Sequence, residues 1–491
     1  AKTKTVRTLN AATCYDKATS DILYFTATAG TGKLPENLNR LIPFFCRAFT
    51  GAGTALRDYA RMAEQIDLYT GGIGISPYSG TGFNGNGNDN DRQHVSFLSL
   101  QGKSLNRNIE HLFDIAGELM SKYSFADTTR LKNLLLQYRA GMESSIVANG
   151  HRYAMSLAAR NLGISSLTEE MWHGISQFRF IKALTEQPDI SEKLSSDLSA
   201  IAAKVFVKSN IKPAIAGNRE ALVIADNNIL KMLDQLPAGL ANDCYHPLNI
   251  ESARNSPVNA ESAGNIPVGA ESVGNIIVSS ESAGNIPAED YPFEGWMTST
   301  SVSFVAQVFK TVRMGHPDAP ALSAISRILR SLYLHREIRE KGGAYGGFAV
   351  YNAEEGIFSF ASYRDPNIRR TLEVYQNACG FITSGDYTEE DIKESILQVC
   401  SDIDKPDTPG PSSIKAFYRQ ILGLTDEKRR QFKESLLALD KKSIISAAEK
   451  YFTISESQKG TAVISGREQL EAANQNLRGD QRELKLCLIN Q

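Results

Sequence analysis

The chain has 491 residues, 42% hydrophobic and 22% charged, the make-up of a globular protein too long for one core and neither disordered nor fibrous. Lysine and arginine total 53 against 55 acidic residues, which leaves no basic footprint for a phosphate backbone, and no apolar run reaches the roughly eighteen residues of a membrane span. Nucleic acid and membrane are therefore excluded as expected partners, and six scattered cysteines without a CxxC pair fit free thiols in a soluble protein of a reducing compartment, cytoplasm or organelle matrix. The first ten residues carry no secretory h-region, and Ala1 in place of Met fits a trimmed start.

In chain order, the run over 22–29 reads as a strand leading through Gly30-Thr31-Gly32-Lys33 into helical patterning over 35–49 and 54–65. Residues 67–79 read as strand and glycine-rich turn, and 94–101 as another strand. Residues 106–123 read as an amphipathic helix with Ile109, Leu112, Phe113, Ile115, Ala116 and Leu119 on one face. A long helical tract over 127–161, further helices to Val207 and a short strand over 221–224 close a first α/β domain, 1–235.

Four decapeptide units follow, opening at Glu251, Glu261, Glu271 and Glu281 with Glu-Ser-Ala or Glu-Ser-Val. Each holds few, mostly small apolar residues among Gly and Pro, too little for a solenoid core, so 236–290 reads as a linker grown by duplication. From 291 to 491 the α plus β order restarts: strand over 301–311, helix over 319–340, strands over 345–351 and 357–363, helices over 366–384 and 389–403. Asp365-Pro366 suits a helix start, Asp as cap and Pro in the first turn. The expected fold class is α/β (α+β), two related domains each with a mostly antiparallel sheet covered by helices.

Gly80-Thr81-Gly82-Phe83-Asn84-Gly85 spells GxGxxG, but the Asn-rich continuation is a poor helix opening and reads as a hairpin loop. Gly32-Lys33 lacks the leading glycine and the Ser or Thr of a phosphate loop. None of the seven histidines, His94, His111, His151, His173, His246, His316 and His335, stands one helical turn from another in HExxH or HxxEH. No metal ligand is therefore expected in this chain, and without a GxSxG elbow or an exposed cysteine no nucleophilic hydrolysis either.

The segment from His335 to Phe348, HREIREKGGAYGGF, ends a charged helix on two glycines and enters a strand. Arg339 falls in the last helical turn and Tyr345 at the strand start, so a guanidinium and a phenol converge on one carbonyl. The same spacing fits a glycine-terminated helix with a capping arginine and a packed tyrosine.

Ile338-Arg339-Glu340-Lys341-Gly342-Gly343-Ala344-Tyr345-Gly346 closely resembles the arginine and tyrosine motif of pitrilysin-type metalloproteases. That segment with Gly347-Phe348, the run Phe358 to Asn367, FSFASYRDPN, and upstream Phe45 to Gly51 and Leu68 to Ile73 are similar to the presequence protease branch. The resemblance covers nearly all of the chain except the repeats. It implies a two-half enzyme that closes like a clamshell around an unfolded peptide, with zinc held through HxxEH and a distal glutamate by the N-terminal half. This chain matches the C-terminal half. Arg339 and Tyr345 are then implied to hydrogen-bond substrate near the scissile bond, with Gly342, Gly343, Ala344 and Gly346 as the backbone that contacts it. The implied partners are the zinc-bearing half, on the same polypeptide or separate, and a short unfolded peptide. The alternative is a catalytically silent peptide-binding or structural subunit, and an independent hydrolase with an unseen site is a further reading.

Deleting 251–288 is expected to leave the melting temperature of the remainder nearly unchanged, because a linker contributes no buried surface; a large fall would show that the repeats pack.

Overall fold

A computed structural model describes residues 7–83, 93–188, 190–241, 245–246, 291–478 and 482–489. The repeat segment 251–288, Cys244 and the Asn-rich loop over 84–92 lie outside the described residues. Seven strands form a first sheet: β1 (Arg7–Thr8), β2 (Thr13–Asp16), β3 (Ile22–Gly30), β4 (Ile73–Thr81), β5 (His94–Leu105), β6 (Ile211–Gly217) and β7 (Tyr245–His246). Six form a second: β8 (Phe293–Met297), β9 (Phe304–Lys310), β10 (Gly346–Asn352), β11 (Ile357–Tyr363), β12 (Gly460–Ser465) and β13 (Lys485–Leu488). β7 falls inside the stretch read as linker and adds to β5 of the first sheet.

The strand orders are β1-β2-β6-β3-β5-β4 and β10-β11-β9-β12-β8-β13. Laying β2, β6, β3, β5 and β4 on β8, β12, β9, β11 and β10 makes every neighbour coincide. Directions coincide too: β2–β6 and β8–β12 are parallel, and the other shared pairs are antiparallel. The similar element order read from the sequence is thus one architecture built twice, with β1 and β13 added at corresponding edges.

Several boundaries differ from the periodicity reading. Residues 221–224 are helix, inside Arg219–Asp234, and the strand is β6 just before it. A four-residue apolar window hides the helical spacing of buried Leu222, Ala225, Ile229 and Met232, and Asn218 starts the helix by accepting the N–H of Ala221. The helix expected over 54–65 runs Tyr59–Tyr69, fixed by Asp58, which accepts the N–H of Arg61, so the following strand begins only at Ile73. The tract over 127–161 breaks at Asn149 into Thr128–Ala148 and Gly150–Ala159. Pro366 precedes its helix, Ile368–Gln376; Asp365 supports it from outside, accepting from Asn367 N and Thr371 Oγ1 at 2.8 and 2.6 Å. Of the cysteines, Cys14 and Cys46 are buried, whereas Cys379, Cys400 and Cys487 are partly exposed, contrary to the reading that all are packed.

The hydrophobic core does not stop at the boundary between the two sheets. Helix Gly150–Ala159, from the first half, lies on β9, β11 and β12 of the second sheet, and its Ala154, Leu157 and Ala158 join Phe304, Ala306, Val308, Ala462 and Ile464 in one cluster. The approach reaches backbone: a Cβ on Gly150 would meet Phe304 at 2.3 Å, and one on Gly460 would meet the Ala158 carbonyl at 2.0 Å. The reverse also holds. Helix Pro409–Leu422, from the second half, covers the first sheet through Phe417 against Tyr15, Ala214 and Ala216, with Gly410 against Tyr24.

One ion pair is sealed into this seam. Arg160 donates to both carboxylate oxygens of Glu294 at 2.9 and 2.7 Å, and the Trp296 indole donates to the same group at 2.9 Å. The two charged side chains are only 13% and 11% exposed. Removing one partner of such a pair leaves the other charge stranded. Glu294→Ala is therefore expected to cost about 3–5 kcal/mol in urea unfolding; a loss below about 1 kcal/mol, as for a surface pair, would show that the seam does not depend on it.

Candidate functional site

The helix expected over 319–340 is α-helical only over Ala319–Ile328; Leu329–Glu340 is wound as a π-helix. π winding is rare, and where it interrupts an α-helix it is frequent at functional sites. The wider winding continues into the exit, where the N–H of Lys341 donates to the carbonyl of Arg336, and those of Gly343 and Ala344 to the carbonyls of Arg339 and Ile338. Gly343 turns the chain at φ +76°, where a side chain is disfavoured. Gly342 is needed for another reason: a Cβ there would sit 2.5 Å from the Ile338 carbonyl oxygen.

This corner delivers Arg339 and Tyr345 side by side. Arg339 is exposed at the helix end, Tyr345 is 68% exposed immediately before β10, and the guanidinium carbon lies 5.9 Å from the phenol ring centroid. The backbone of Tyr345 is anchored by its N–H on the Tyr363 carbonyl at 3.1 Å. Among the described residues neither the guanidinium nor the phenol hydroxyl has a hydrogen-bond or ion-pair partner within the protein. The carboxylates close by are engaged: Glu337 with Arg336 and Lys341, Glu340 with His335. The Lys341 ammonium first, then Arg336, holds the Glu337 carboxyl below its usual range.

The structure brings Arg339 and Tyr345 together as the sequence predicts, and much of the backbone of the motif is engaged within the protein. The N–H groups of Gly343, Ala344 and Tyr345 are consumed in the turn, and the carbonyl of Gly342 accepts from Asn367 at 2.8 Å. Gly346 lies beside the Phe348 ring at the start of β10. These positions shape the corner that holds the two side chains.

Beneath Tyr345 lies an aromatic floor that sequence reasoning did not assemble. Tyr345 meets Tyr363 edge-on at 5.7 Å, Tyr363 meets His151 at 5.0 Å, and His151 stacks on Phe348 at 5.8 Å. His151 comes from the first half, on the helix that crosses the seam, and Tyr363 donates to the carbonyl of Ala148 at 3.3 Å. Burial, then the neighbouring Arg152, lowers the His151 pKa and so favours the neutral imidazole. Tyr363 and Phe348 stood in the segments of family likeness, whereas nothing around His151 in the sequence marked it.

The described residues do not fit a zinc ion, since no three His, Cys, Asp or Glu among them come together as ligands. Nor does any described helix have the length and apolarity to cross a membrane.

The two motif glycines are predicted to respond differently. Gly342→Ala, which forces Cβ against a carbonyl, should cost about 1–3 kcal/mol by overpacking. Gly343→Ala would set its Cβ 3.7 Å from the Pro366 ring, an ordinary van der Waals contact, and should cost about 1 kcal/mol from its positive φ alone. Urea denaturation of both variants checks this, and an equal or smaller loss for Gly342→Ala would contradict the close approach.

Two family models match the chain in order: a region associated with peptidase family M16, subfamily C, over residues 2–184, and "PreP C-terminal domain" over 294–465. The mitochondrial presequence protease of Xenopus tropicalis is 29% identical over 446 residues, 91% of this chain and 42% of that protein. The chloroplastic/mitochondrial presequence protease 1 of Arabidopsis thaliana is 26% identical over 481 residues, 96% of this chain and 40% of that protein. The chain thus spans about two fifths of the length of the curated relatives it matches. In fold it is similar to a crystal structure of a peptidase M16 inactive domain from Pseudomonas fluorescens, TM-score 0.60 at 15% identity, covering 94% of this chain and 97% of that one.

Proposed function

We propose, because this chain is a presequence-protease-like C-terminal half of the M16 peptidase type, that it is the non-catalytic half of a zinc metalloendopeptidase acting on short unfolded peptides. It encloses the substrate and offers it Arg339 and Tyr345. The observation that carries this reading is the pair itself, two strong donors exposed side by side on a built corner with no partner inside the described protein.

A guanidinium stays charged at every working pH and a phenol donates one hydrogen bond, so together they suit a peptide carbonyl oxygen on which negative charge grows. Donors fixed in advance cost no reorganisation when that charge appears. Here the backbone beneath each donor is fixed, by the helix exit for Arg339 and by the Tyr363 carbonyl for Tyr345, and the guanidinium lies 5.9 Å from the phenol ring centroid. Gly342, Gly343, Ala344 and Gly346 serve the substrate indirectly, by setting the reach of those side chains. The metal ligands belong to the N-terminal half, on the same polypeptide or a separate chain, and the site of action is an organelle, a reading supported by the words mitochondrial and chloroplastic in the names of the relatives. Confinement then selects substrate: a short flexible peptide enters a closing chamber and a folded domain does not.

In the complete enzyme, Arg339→Ala is expected to lower turnover about 10²-fold or more, the effect of losing one oxyanion donor, while bound zinc measured by atomic absorption stays constant. Tyr345→Phe should act in the same direction. Unchanged turnover in both variants would overturn the assignment and favour a silent peptide-binding subunit; loss of metal would place Arg339 in support of the metal site instead.

A further inference from the structure

The strand β11 ends on Tyr363, and the next residue, Arg364, holds a left-handed backbone at φ +50° while its side chain is exposed. Only two other non-glycine residues among those described, Ser20 and Asp21, have positive φ. A small or polar residue tolerates that region; a long cationic one is uncommon there, and such strain persists only where the surroundings dictate it. They do so here. The Tyr363 carbonyl is held by Tyr345 N–H at 3.1 Å, and Asp365 is pinned on the other side by reciprocal backbone bonds with Ser303, both 2.8 Å. The chain nevertheless uses glycine freely at the facing corner, so an arginine at this strained position points to a role of its side chain.

The side chain has no acidic partner among the described residues. Its guanidinium carbon lies 5.5 Å from the Tyr363 ring centroid. Tyr363 in turn meets Tyr345, and Tyr345 meets Arg339, each step under 6 Å. On the far side of the same aromatic floor Arg330 lies 5.6 Å over Phe348. Three exposed guanidinium groups therefore ring one aromatic surface, each set over a ring and none paired with a carboxylate. Glu337 is paired with Arg336 and Lys341 and Glu373 with Arg369; Glu340 lies 3.3 Å from the His335 imidazole, and the buried Asp365 accepts from Thr371 and Asn367. An occupant that offsets this uncompensated charge is anionic.

We propose that Arg364 is a specificity-determining residue that receives a peptide carboxylate beside the Arg339 and Tyr345 contact, so that substrates carrying such a group there are preferred. This rests on the reading of Arg339 and Tyr345 given under Proposed function. On an unfolded peptide the carboxylate is an Asp or Glu side chain or the free C-terminus, and the guanidinium fork suits either in bidentate fashion. Arg330 extends the same field at the outer rim.

The test uses the complete enzyme and peptide pairs that differ in one group: Asp against Asn, scanned across positions flanking the cleaved bond, and a C-terminal acid against its amide. The expected result is a higher kcat/KM for the acidic member of one pair, and a fall of that preference by about tenfold in Arg364→Gln, the size of one charge-assisted hydrogen bond. Which pair responds identifies the carboxylate. Arg364→Gly, whose backbone is at ease at this φ, should lose the same preference with a melting temperature no lower than that of the parent, which separates the side chain's effect from folding. An unaltered preference in both variants, or no preference in the parent, would overturn the proposal. Arg339→Ala, run beside them, should slow both members of each pair alike; if it is silent while Arg364→Gln shifts the ratio, the reading of Arg339 falls and that of Arg364 stands.

Discussion

The contact on which the rest of the molecule depends is the laying of helix Gly150–Ala159 onto the second sheet. It is closed to backbone distance, with Gly150 under Phe304 and Gly460 under the Ala158 carbonyl, and neither position has room for a side chain. Close packing of this kind is felt at the level of a single methylene, so the two sheets hold one relative placement. That placement carries His151 under Tyr363 and the Ala148 carbonyl to its hydroxyl, which makes the candidate site a product of the seam as much as of the motif.

The exchange of covering helices has a second effect. Each sheet is buried partly by the other half's chain, Ala154 and Leu157 on one side and Phe417 on the other, so neither half closes its own core. A buried charge pair in that seam, with the Trp296 indole as third partner, adds little net stability as a pair and a large penalty when incomplete. Its partners come from the two halves, so it is complete only when they hold this relative placement. The proposed substrate-enclosing role requires rigidity of this kind, because donors that stabilise developing charge act through being fixed beforehand.

Much of the fold was legible. The runs over 22–30 and 357–363 are rich in aromatic and β-branched residues and emerged as β3 and β11, and the Gly342-Gly343 break announced the corner that exposes Arg339 and Tyr345. The rest was hidden for identifiable reasons. The helix at 219–234 was misjudged because four adjacent apolar residues carry no period. The π winding of 329–340 was not legible because a short amphipathic stretch does not distinguish a helix of slightly wider turn. His151, Arg160 and Glu294 gain their meaning from partners far along the chain, Arg160 and Glu294 being separated by 134 residues. Arg364 was visible only as one letter of a family-like segment, since nothing in an arginine signals a positive φ.

The most direct test of the account is cleavage of a short unfolded peptide followed by mass spectrometry, with this chain alone, with zinc, with chelator, and after addition of the N-terminal half. The account predicts no cleavage by the chain alone under any condition and chelator-sensitive cleavage once the other half is present. Zinc-dependent cleavage by this chain alone would contradict it and would locate a catalytic metal among its own residues.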